Sequence, residues 1–138
     1  MFELISIEND YMTRYVKLKN CETGAIECCF DDSELCDEGQ KDFGFMHIGE
    51  CYECMILLFG CLPKSNEEIT EDFMICKQIG KMQQLGLYKI IPVESEGNKY
   101  YILEKNVKKI DCTKNFIFKV SRKDLIKVNE VTSARFLR

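Results

Sequence analysis

The sequence predicts a mainly β chain: a small antiparallel β-barrel or strongly twisted sheet, OB-like or SH3-like, with one or two short helices. Apolar residues recur at every second position over several short runs, and turn-forming residues punctuate those runs. A sheet of many short strands must also hide its edges, which favours closure. At 138 residues and 46% hydrophobic, the chain is sized for one core, so residues 1–138 are read as a single domain.

The elements follow in order. Val16 and Leu18 alternate with Lys17 and Lys19, and Ile26, Cys28 and Phe30 share one face opposite Glu27 and Cys29. From Tyr52 to Phe59 both faces become apolar, as expected of a central strand. Further strands are expected over Leu85–Val93, Tyr100–Leu103 and Asn115–Val120, with Phe116, Phe118 and Val120 facing one way. Thr23-Gly24, Glu38-Gly39-Gln40, Gly60 with Leu62-Pro63-Lys64, and Glu96-Gly97-Asn98 supply the breaks, the last as a hairpin turn. Ser65-Asn66-Glu67-Glu68 and Ser121-Arg122-Lys123-Asp124 fit the capping-box pattern that opens a helix, and after the first of these Phe73–Ile79 fits a strand as well as a helix. No internal repeat is visible.

Nine cysteines is an odd number, and no secretory leader precedes them, so they are expected as thiols in a cytoplasmic protein. Cys28, Cys29, Cys54, Cys76 and Cys112 lie among strand-like residues, where cysteine acts as a small apolar filler. Cys51-Tyr52-Glu53-Cys54 is a CxxC, but residues i and i+3 of a strand point to opposite faces, which suits neither a redox pair nor a zinc knuckle. The acidic run from Asp31 to Asp42 lacks the register of a calcium loop. Neither metal nor cofactor is expected. His47, the one histidine, is read as structural or superficial rather than as the base of a thiol enzyme. No phosphate-binding, nucleophile-elbow or zinc-protease motif occurs, so binding is favoured over catalysis.

Charge is the most informative feature. Residues 1–72 carry 17 acidic and 5 basic side chains, whereas residues 73–138 carry 6 and 14, within an overall net charge of −4. Two oppositely charged faces are one outcome, and interleaving of the halves is the other. The acidic half marks a surface for a basic protein partner, with Asp31, Asp32, Glu34, Asp37, Glu38 and Asp42 as the candidate contacts. In this overall profile the chain resembles the small acidic immunity proteins with which bacteria neutralise polymorphic nuclease toxins. The resemblance implies an inhibitor whose carboxylates occlude a cationic nuclease site. The alternative is an OB-like nucleic-acid-binding domain that stacks bases on Tyr100 and Tyr101 and holds phosphates with Lys105, Lys108, Lys109, Lys114 and Lys119. No stretch is apolar enough to span a membrane.

Overall fold

A computed structural model describes residues 1–10, 13–32 and 43–137. These residues form eleven strands: β1 (Phe2–Asn9), β2 (Arg14–Asn20), β3 (Ile26–Asp31), β4 (Cys51–Tyr52), β5 (Cys54–Cys61), β6 (Phe73–Gln78), β7 (Gln83–Leu85), β8 (Tyr88–Ser95), β9 (Asn98–Leu103), β10 (Phe116–Val128) and β11 (Val131–Thr132). The chain is mainly β, as the alternation predicts. The only helical turns among the described residues are 3-10 turns at Glu104–Asn106 and Ala134–Phe136. Both capping-box expectations fail. Lys64–Glu67 closes a turn in which the Glu67 carboxylate accepts from the Lys64 amide, and Ser121–Asp124 lies inside β10. No described helix is long and apolar enough to cross a membrane.

The strands join in one mixed sheet rather than a clean antiparallel barrel. Its centre is the antiparallel pair β5·β10, and the apolar character of both β5 faces reflects burial on both sides. Two meanders flank this pair. β1-β2-β3 joins β4 through Phe2↔Tyr52 and joins β10 in parallel at Phe30↔Asp124. β6-β8-β9 joins β10 through Phe73↔Lys119 and joins β5 in parallel at Tyr101↔Leu57. Each meander thereby closes a circuit with the central pair.

The two halves repeat one pairing scheme. Phe73, Lys77 and Tyr101 each stand 71 residues beyond Phe2, Ser6 and Phe30, and Lys119 and Asp124 each stand 67 beyond Tyr52 and Leu57. The pairs Phe2↔Tyr52, Ser6↔Lys17 and Phe30↔Asp124 correspond to Phe73↔Lys119, Lys77↔Glu94 and Tyr101↔Leu57. An approximate two-fold relation thus runs through the Leu57↔Asp124 pair. Side chains at equivalent places differ, with Leu57 matched to Asp124 and Ser6 to Lys77, so the repeat is one of backbone register and is hidden in the sequence.

β10 meets two partners along one edge because it bends. Its register against β5 shifts between Val120 and Arg122, a bulge at Ser121 that increases twist and lets the strand leave β6 and approach β3. Gly60 permits this: a Cβ there would lie 1.9 Å from the Lys119 carbonyl oxygen. The core beneath gathers Leu4, Val16, Leu18, Phe43, Ile56, Leu58, Phe118 and Leu125. A second cluster under the C-terminal turn includes Leu57, Ile90, Ile126 and Phe136.

The inward face of β3 is the reverse of the apolar set. Glu27, Cys29 and Asp31 are buried, while Ile26 and Cys28 are exposed. Ion pairs account for the inversion: Lys123 Nζ donates to Glu27 at 2.6 Å, and Arg14 Nε to Asp31 at 2.6 Å. Cys28 is therefore not a core filler, whereas Cys29, Cys76 and Cys112 are buried and Cys54 is partly buried.

Candidate protein-binding groove

Where β10 departs from β6 to reach β3, the sheet forks, and the fork opens a groove of about 1120 Å³. One wall is the start of β3, and the other is β6 with the β8–β9 hairpin. Val120 and Lys123 of β10 also line it. Positive φ values at Glu96 and Gly97 make the tight hairpin turn that the sequence signals. Thr23 Oγ1 donates to Asn98 Oδ1 at 2.8 Å, tying the β2–β3 turn to that hairpin.

Five carboxylates line the groove, those of Glu27, Glu71, Asp72, Glu94 and Glu96, against Lys77 and Lys123. Lys123 is committed to Glu27 and lies 5.1 Å over the Tyr100 ring. The Tyr100 hydroxyl also hydrogen-bonds Glu27, and burial with that neighbouring carboxylate pushes the phenol well above its ordinary range. Burial, reinforced by the Glu27 charge, likewise pushes the Cys29 thiol up. Lys77 stands opposite Glu94 in the β6·β8 pairing. Among the described residues no lysine or arginine lies within ion-pair distance of Glu71, Asp72, Glu94 or Glu96. Ile26, Ile75 and Ile79 add exposed apolar surface between the carboxylates.

The related half carries a counterpart at the fork between β1 and β9, lined by Phe2, Cys54, Met55 and Tyr101. At about 340 Å³ it is smaller, and its carboxylates, Glu22 and Glu53, are matched by Lys99 and Lys127. The surplus of carboxylates belongs to the larger groove alone.

The candidate residues read from the sequence are placed differently. Asp31 has no exposed surface and holds Arg14, whose guanidinium also donates to the Phe43 carbonyl at 2.6 Å. Asp32 is partly exposed and pairs with Arg135 at 3.3 Å. Neither is an open carboxylate. Glu34, Asp37, Glu38 and Asp42 lie outside the described residues. For the alternative site, Tyr100 and Tyr101 are buried and present no open ring for stacking. Lys105 and Lys108 border a shallow depression beside Tyr88, Lys109 and Lys114 are exposed elsewhere, and Lys119 is held by Glu67. That bond, with the Lys64 amide, holds the Glu67 carboxyl below its ordinary range.

Cys51 is exposed with its sulfur 3.9 Å from that of Cys21, which raises the Cys51 pKa, whereas burial pushes Cys54 up to about 12. The eight described cysteines are free thiols. His47 is exposed on the turn before β4, and its backbone amide donates to the Tyr52 hydroxyl at 2.7 Å. No three His, Cys, Asp or Glu side chains converge as a metal site among the described residues.

Sequence reasoning missed the groove because its acids come from four places: the start of β3, the approach to β6, the end of β8 and the hairpin. The usable signal was Glu94 and Glu96 around a hairpin turn in an otherwise basic half. Compared with known proteins, the chain matches no family model, no curated protein and no solved structure.

Proposed function

We propose that this is a protein-binding module whose groove between β3 and β6 receives a cationic surface of another protein, in the manner of an immunity protein inhibiting a basic nuclease toxin. The supporting observation is the concentration of five carboxylates beside exposed isoleucines in one concave site. Carboxylates steer and orient a basic partner, and apolar surface at the centre supplies contact area from which water is excluded. A nuclease suits the role because a site that binds phosphates must be cationic. Within the same reading, each circuit is a small OB-like barrel serving a protein rather than a nucleic acid. Burial of Tyr100 and Tyr101 and dispersal of the lysines weigh against nucleic acid.

Affinity capture from the native cytosol, with and without nuclease treatment, tests the proposal. It compares the natural chain with the variant Glu71→Gln, Asp72→Asn, Glu94→Gln, Glu96→Gln. The expected result is a stoichiometric basic protein that survives nuclease, is lost from the variant, and binds more weakly as salt rises. Equal capture by both chains would overturn the proposal, as would recovery only of nucleic acid that vanishes on treatment.

A further inference from the structure

The start of strand β3, before its pairing with β10, has an open edge in this groove. The Asn20 amide donates to the Ala25 carbonyl at 2.9 Å, so the backbone groups of Ala25 point toward β2. In an antiparallel ladder those groups alternate sides. Glu27, Cys29 and Asp31 therefore point toward β2, and Ile26, Cys28 and Phe30 point away from it. Of the latter three, Phe30 meets β10 through the parallel pairing with Asp124. Ile26 lines the groove, Cys28 lies between it and that pairing, and the register of β3 with β10 includes neither. A row of backbone donors and acceptors beside an acidic, partly apolar groove is a template for one more strand.

We propose that the groove takes an extended cationic segment of the partner, which adds to the open edge of β3 as a strand. Main-chain bonds run to Ile26 and Cys28. Alternate side chains of the incoming strand divide between two surfaces: lysines or arginines meet Glu71, Asp72, Glu94 and Glu96, and apolar residues meet Ile26 and Ile75. The proposal rests on the reading of the groove as the site of a basic partner and adds the mode of binding. Charge complementarity selects this occupant, because an acidic strand would set like charges against four carboxylates. The β8–β9 hairpin limits the length of the added strand, since the tie from Thr23 to Asn98 crosses between the turns.

Amide hydrogen exchange of the whole protein tests the mode directly, with two synthetic peptides as probes: an octapeptide of alternating lysine and valine, and octalysine. The alternating peptide is expected to slow exchange at Ile26 and Cys28 at least about tenfold at saturation, and octalysine to compete while changing those amides less than about twofold. The variant Cys28→Pro removes one edge donor and is expected to weaken the alternating peptide about tenfold without affecting octalysine. If that variant does not fold, the exchange measurement decides alone. Competitive binding of both peptides with no slowing at Ile26 and Cys28 would overturn strand addition and leave the acidic groove standing. Failure of both peptides to bind would overturn both readings.

Discussion

Asp31 and Asp32 are adjacent in sequence, and replacing each in turn separates a structural carboxylate from a peripheral one. The side chains of Arg14 and Asp31 are 7% and 0% exposed, so Asp31→Asn strands a buried guanidinium without its counter-charge. Breaking a buried pair in this way costs about 3–5 kcal/mol. With a urea dependence of about 2 kcal/mol per molar for a chain of this size, the unfolding midpoint should fall by about 1.5–2.5 M at unchanged slope. Asp32 and Arg135 form a longer, wetter pair, and Asp32→Asn should cost no more than about 1 kcal/mol, a shift of about 0.5 M or less. The double replacement Arg14→Met, Asp31→Leu removes both charges and should recover most of the loss, short of about 1 kcal/mol for the bond to the Phe43 carbonyl. Equal midpoints for the two single variants would contradict a structural role for the Asp31 charge. So would a double variant no more stable than Asp31→Asn.

Two further predictions concern the central strands and the buried thiols. Gly60→Ala forces the Lys119 carbonyl away from β5 and should cost about 2–3 kcal/mol by urea unfolding; a loss below about 0.5 kcal/mol would mean that β5 and β10 do not approach so closely at the bulge. Burial raises the Cys76 thiol from its ordinary 9.0 to about 11. The folded state therefore retains a proton that the unfolded chain releases, so this contribution is complete below about pH 9 and is lost as pH rises through about 11. The loss from this thiol should approach about 1.4 kcal/mol per pH unit, added to that from the other buried thiols, and Cys76→Ala should lessen the slope by that amount; an unchanged slope would exclude Cys76 as a contributor.

The parts of the fold legible in the sequence are those governed by local periodicity. Tyr52–Phe59 reads as a central strand because it is apolar on both faces, and β5 does lie between β10 and β9. Glu96-Gly97-Asn98 reads as a hairpin turn because glycine accepts a positive φ, and β8 and β9 join there. Polar residues satisfied by distant partners are not legible in this way. Glu27 and Asp31 can lie on the inward face of β3 because partners such as Lys123 and Arg14 reach them. Ser121–Asp124 carries helix-opening residues, yet pairing with β5 holds it extended, since a whole ladder outweighs one local cap.

The mainly β character and the charge imbalance between the halves follow from the sequence alone. Each of these is a property of composition or of nearest neighbours. Tertiary structure decided where the charges go. The two halves interleave through Lys123 with Glu27, Arg135 with Asp32 and Lys119 with Glu67, so of the two outcomes open to the sequence it is partial cancellation that occurs. What survives is the carboxylate surplus of one fork, gathered from segments far apart in the chain. Strand pairing alone brings such segments together, because hydrogen-bond register acts between backbones and leaves little trace in the side chains it aligns.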